Sequence, residues 1–88
     1  MVSLITPKKA QNNVARNIRA LRLEKGFTQK ALSERSGVSF ASVKKFEQTG
    51  IISLESFFKL SMVLGCLEKL VEATQPMENE FSSIDEVL

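Results

Sequence analysis

The sequence predicts an all-α domain of five short helices, with a flexible N-terminal arm before it and an acidic C-terminal tail after it. Two observations carry this. Hydroxyl residues stand ahead of apolar stripes at Thr28, Ser39 and Ser53, where a side-chain oxygen can cap the free amides of a first helical turn. Glycines 26, 37, 50 and 65 stand where those stripes run out, as helix ends require.

Residues 1–11 read as an arm, ended as a regular element by Pro7 and carrying Lys8 and Lys9. The folded domain is expected over residues 12–75. Helix 1 should run from near Asn13 to Lys25, with Val14, Ile18 and Leu21 on one face at helical spacing. Arg16, Arg19 and Arg22 fall elsewhere on the wheel, and Leu23 is expected as a single exposed leucine. Helix 2 starts at the Thr28 cap, contributes Ala31 and Leu32 to the core and ends near Ser36. Gly37 makes the turn, and Ser39 caps helix 3, which reaches Gln48. Thr49-Gly50 breaks that helix. Ser53 caps helix 4, with Glu55 in its positive first turn and Leu54, Phe57, Phe58, Ser61 and Leu64 as the inward stripe. Leu67 to Thr74 reads as helix 5.

From Pro76 onward the chain changes character, with four acids and no bases in PMENEFSSIDEVL. This reads as a solvated, partly disordered tail. Phe81, Ile84, Val87 and Leu88 keep open a second reading, a segment that orders against a partner.

Composition narrows the function classes. The net charge of +2 hides an asymmetry: residues 1–47 hold ten Lys/Arg and three Glu, giving +7, and residues 48–88 hold two Lys and seven acids, giving −5. A basic half joined to an acidic half points to a nucleic-acid face at one end and a different partner at the other. There is no histidine, so Ser-His and Cys-His nucleophile pairs are impossible. The single cysteine, Cys66, makes neither an internal disulfide nor a zinc cluster, and it reads as a small buried hydrophobe. Without a glycine-rich phosphate loop either, the chain is read as a binding protein and not an enzyme, with no cofactor, metal or small-molecule ligand expected. No apolar run nears the roughly 18 residues of a membrane span, and MVSLITPKK is too short in apolar length for a signal peptide. A cytoplasmic protein without membrane contact is expected.

The most informative stretch is Thr28–Glu47, TQKALSERSGVSFASVKKFE. Two amphipathic helices around Gly37-Val38-Ser39 form the layout of a helix-turn-helix, in which one helix positions another to enter the DNA major groove. On a wheel of helix 3, Phe40, Ala41, Lys44, Lys45 and Gln48 fall within an arc of about 140°. Val43 and Phe46 point the other way, with Ser42 beside them. Lysine can reach guanine or phosphate, and Phe or Ala can touch a thymine methyl. An exposed phenylalanine beside two lysines argues against a merely solvated face.

Thr28-Gln29, Ala31-Leu32, Gly37-Val38-Ser39, Val43 and Phe46-Glu47 together resemble the Xre family, the Cro and phage-repressor type of helix-turn-helix, over roughly residues 13–72. The resemblance implies a compact, lambda-repressor-like five-helix domain that binds a pseudo-palindromic double-stranded operator as a homodimer. By position it implies that Phe40, Ala41 and Lys45 read bases, with Ser42 and Lys44 beside them, and that Gln29 contacts phosphate. Ser39, Arg16, Arg19 and Lys30, with Lys8 and Lys9, are further phosphate candidates. Arg22 and Glu47 align with a largely buried ion pair tying helix 1 to the end of helix 3, so Arg22 is assigned a structural role. Many relatives carry glutamine where this chain has Phe40, which replaces hydrogen-bond readout by apolar contact.

Helix 4 is apolar on more than one side. Leu60 and Val63 lie behind the expected inward stripe, and Leu67, Leu70 and Val71 continue the surface. A two-fold dimer contact through these five residues is expected, the alternative being a thicker core closed by helix 5. The stretch FEQTGIISLESFFKLSMVLGCLEKL also resembles the HipB-like antitoxins that accompany HipA-type kinase toxins. That resemblance implies a repressor that autoregulates its operon as a dimer and binds a HipA-like kinase, with the tail from Met77 as a partner-contact or degradation segment. Two other readings stay open: a stand-alone phage or mobile-element repressor, and a protein-only interaction module on the same fold.

Overall fold

Five helices follow one another in the computed structural model, which describes residues 4–77: α1 (Pro7–Glu24), α2 (Gln29–Ser36), α3 (Phe40–Thr49), α4 (Leu54–Leu64) and α5 (Leu67–Ala73). Each of the first four is capped through a hydroxyl. Thr6, Thr28, Ser39 and Ser53 accept from the amides of Lys9, Ala31, Ser42 and Ser56 at 3.0–3.2 Å. Each such bond satisfies an amide that has no partner within its own helix.

The first of these caps corrects the expected arm. α1 begins at Pro7, not near Asn13, and Thr6 is its cap. Proline at the first helical position loses no hydrogen bond, and its fixed φ already suits the helix. Residues 7–11 are therefore helical, and Lys8 and Lys9 sit in the first turn of α1. Lys8 donates through Nζ to the carbonyl of Thr49 at 3.3 Å, which places its charge at the negative end of α3.

The core is made by Ala15 and Ile18 of α1, Leu32 of α2, Val38 of the turn, Val43 and Phe46 of α3, and Leu60 and Leu64 of α4. Val14, Leu21, Phe27, Ile52, Phe57, Val63 and Cys66 pack around it. α3 lies against both α1 and α2, and α4 closes the other side against α2 and α1 before α5 folds back on it. Phe46 and Phe57 meet at a centroid distance of 5.9 Å and an interplanar angle of 56°, a tilted contact that favours the ring quadrupoles.

Three positions on α4 differ from expectation. Leu54 is 67% exposed, whereas Leu60 is fully buried. The third is Phe58, which is half-buried but outside the core cluster. The inward stripe is Phe57, Leu60, Ser61 and Leu64. Ser61 is buried without penalty because its hydroxyl donates to the Phe57 carbonyl at 2.8 Å. Leu60 is therefore a core residue and is removed from the expected dimer surface.

The turn between α2 and α3 is fixed by its own hydrogen bonds. The Gly37 amide donates to Ser33 O, Ser33 Oγ donates to Val38 O at 2.6 Å, and the Val38 amide donates to Ser36 Oγ. At the far end of α3, Gly50 has φ +77°, and a Cβ there would lie 3.0 Å from the Gln11 carbonyl oxygen. Only glycine both takes that conformation cheaply and lets the end of α3 rest on the α1 backbone. The expected tail from Pro76 lies outside the described residues except for Pro76 and Met77, both exposed.

Candidate nucleic-acid interface

α3 buries Val43 and Phe46 and leaves Phe40, Ala41, Lys44, Lys45 and Gln48 exposed, with Ser42 half-buried between them. The exposed strip is that of the helical wheel. Within it Lys44 Nζ lies 5.3 Å from the centroid of the Phe40 ring, a cation–π contact one helical turn long. The i,i+4 spacing of Phe40 and Lys44 was the available signal for this pairing.

Flanking residues from α1 and α2 frame the strip. Arg19, Thr28, Gln29 and Lys30 line one surface groove together with Arg22 and Phe40. A second groove beside Gln48 is lined by Asn12, Ala15, Arg16, Glu47 and Gly50. Arg19 thus stands by the start of α3 and Arg16 by its end, one turn apart on α1. The Arg16 guanidinium also donates to the side chain of Asn13. Ser39 spends its hydroxyl within the first turn of α3, accepting from the Ser42 amide and donating to Ser42 Oγ at 2.8 Å. The donor left over in that pair is the Ser42 hydroxyl.

Behind the strip lies an ion pair. Arg22 Nε donates to Glu47 Oε2 at 2.7 Å and Nη2 to Oε1 at 3.0 Å, and the two side chains are 7% and 3% exposed. Arg22 Nη1 reaches the Phe27 carbonyl at 2.8 Å. Gln29 Nε2 donates to Glu47 Oε1 at 3.0 Å, a contact the sequence reading missed because it assigned Gln29 only to phosphate. One carboxylate therefore joins α1, α2 and α3, and no buried side-chain polar atom among the described residues lacks a partner.

A family model described as helix-turn-helix matches residues 18–70, more than half of the chain and all of α2, α3 and α4. The chain belongs to this helix-turn-helix family, of the Xre/Cro type. No curated protein and no solved structure matches it. As a helix-turn-helix protein it is a DNA-binding transcription regulator, built on a fold that is generally non-enzymatic. Among the described residues no helix is long and apolar enough to cross a membrane, and no group of His, Cys, Asp or Glu could hold a metal ion.

Away from α3, the remaining residues of the expected dimer surface are distributed over α4 and α5. Val63, Leu67 and Leu70 are half-buried and Val71 is 52% exposed. Met62, which the sequence reading did not single out, is 65% exposed and shares a surface depression with Leu67.

Proposed function

We propose that this helix-turn-helix protein is a sequence-specific transcriptional repressor that binds operator DNA as a homodimer through α3. Phe40, Ala41, Ser42, Lys44 and Lys45 read bases, and Gln29, Arg16, Arg19 and Lys30 hold the flanking phosphates, Ser39 being left out because its hydroxyl is spent on Ser42. The observation that carries this reading is the exposed strip of α3. It is a mixed apolar and cationic face with no acidic side chain, backed by a buried ion pair and flanked by Arg16, Arg19 and Lys30. Such a strip matches what a major groove offers: acceptor edges, methyl groups and phosphates on either side.

The dimer contact runs through Val63, Leu67, Leu70 and Val71, with Met62 beside them. The resemblance of residues 46–70 to HipB-like antitoxins supports a finer role. In it the protein represses its own operon and neutralises a HipA-like kinase, which it meets through a surface separate from α3.

Fluorescence anisotropy on duplex DNA from upstream of its gene tests the first part. The Lys44→Ala/Lys45→Ala variant should lose binding while keeping its helical circular dichroism. Equal binding by wild type and variant would remove α3 as the reader. Co-purification with the product of an adjacent kinase-like gene tests the second part, and the same double variant should still be captured.

A further inference from the structure

The head of α3 carries an exposed aromatic ring. Phe40 is the first residue of the helix and is 45% exposed, although Val43 and Phe46 of the same helix are buried. Folding alone would not place it there, since exposed phenylalanine contributes little to the core. The Lys44 ammonium covers one face of the ring, and Ala41 beside it is also apolar and exposed. The side chain carries no hydrogen-bond donor or acceptor, so it cannot recognise N7, O6, N6 or N4 of any base. The one apolar group that a base pair presents in the major groove is the C5-methyl of a pyrimidine.

We propose that Phe40 is a specificity-determining residue that selects a C5-methylated pyrimidine, either thymine or 5-methylcytosine. This rests on α3 being the DNA-reading helix. Discrimination comes from apolar surface removed from water between the ring and the methyl group. For one methyl that amounts to about a fourfold change in affinity.

The test uses the full chain. Bound sites are selected from a random duplex library, and affinities are then measured on the selected duplex with each thymine replaced in turn by uracil, which removes only the methyl. At one thymine per half-site, uracil should weaken binding about fourfold, and Phe40→Ala should abolish that difference while retaining helical content. Placing 5-methylcytosine·guanine or cytosine·guanine at the same position separates the two sources. Tighter binding of the methylated pair means that either methyl is read, and equal binding restricts the reader to thymine. Uracil tolerated at every position, or a methyl preference that survives Phe40→Ala, would overturn the inference alone. Failure to enrich any sequence would overturn the DNA-reading role of α3, and the inference with it.

Discussion

Replacing Arg22 by methionine tests the packing behind the interface. The guanidinium makes three hydrogen bonds, two to Glu47 and one to the Phe27 carbonyl, at 2.7–3.0 Å. Methionine fills similar space but donates nothing. Glu47, 3% exposed at its side chain, would keep only the Gln29 amide at 3.0 Å. Leaving a buried carboxylate without its cation costs about 3–5 kcal/mol. A chain of this length has roughly 4–13 kcal/mol of stability in all, so the loss is a large share of the total. At about 4–8 °C per kcal/mol for a domain of this size, the melting temperature should fall by at least about 12 °C. Thermal unfolding followed by circular dichroism at 222 nm measures it. Arg22→Met/Glu47→Leu removes the stranded charge and should recover most of the loss, since apolar replacements of buried pairs are often neutral. A shift of less than about 4 °C for Arg22→Met, below one kilocalorie, would refute the reasoning.

Four further outcomes concern the turns, α4, α5 and the basic half of the chain. Gly37→Ala and Gly50→Ala both force alanine into positive φ, at about 1–2 kcal/mol, but only Gly50 also meets the Gln11 backbone. Urea unfolding should therefore show the larger loss at Gly50, and equal losses would mean that the close approach costs nothing. Leu60→Ala should destabilise by about 2–5 kcal/mol because the side chain is fully buried. Val71→Glu, on an exposed position, should instead keep the helical signal and lower the mass seen by light scattering, and unfolding of Val71→Glu would place Val71 in the core. DNA affinity should drop about 10³–10⁵-fold between roughly 50 and 200 mM salt if a dimer makes six to ten phosphate contacts, and a flat response in a titration would dissociate the basic half from DNA.

What could be read from the sequence was mostly local. Thr28, Ser39 and Ser53 stand directly beside the amides they cap, and Gly37, Gly50 and Gly65 stand at the turns that need them, so three residues of context suffice. The exposed face of α3 was legible for the same reason, because its polar and apolar residues separate cleanly around the wheel. Pro7 is ambiguous in sequence, because proline ends a helix from inside but starts one from its first position, and the Thr6 cap ahead of it decides for a start. α4 misled in another way. LESFFKLSMVL is apolar on several sides, so two overlapping stripes that share Phe57, Ser61 and Leu64 fit the pattern almost equally well. Packing against α1 and α2 chose the one containing Leu60 over the one containing Leu54. The Gln29–Glu47 bond spans 18 residues, and nothing near either residue announces it.

Phe27 shows what the connection between α1 and α2 means for encounter with a ligand. Its amide donates to Arg22 O, its carbonyl accepts from the Arg22 side chain, and Arg35 lies 4.6 Å above its ring. With Gln29 tied to Glu47 two residues later, the segment leading into the reading unit has few rotamers left to lose. The ordering entropy has been spent in folding and is not charged again at association. Docking is then expected as a rigid-body event, with little backbone rearrangement between free and bound forms. Arrival would be governed by charge and diffusion, so discrimination among sites would be expressed in how long each complex lasts.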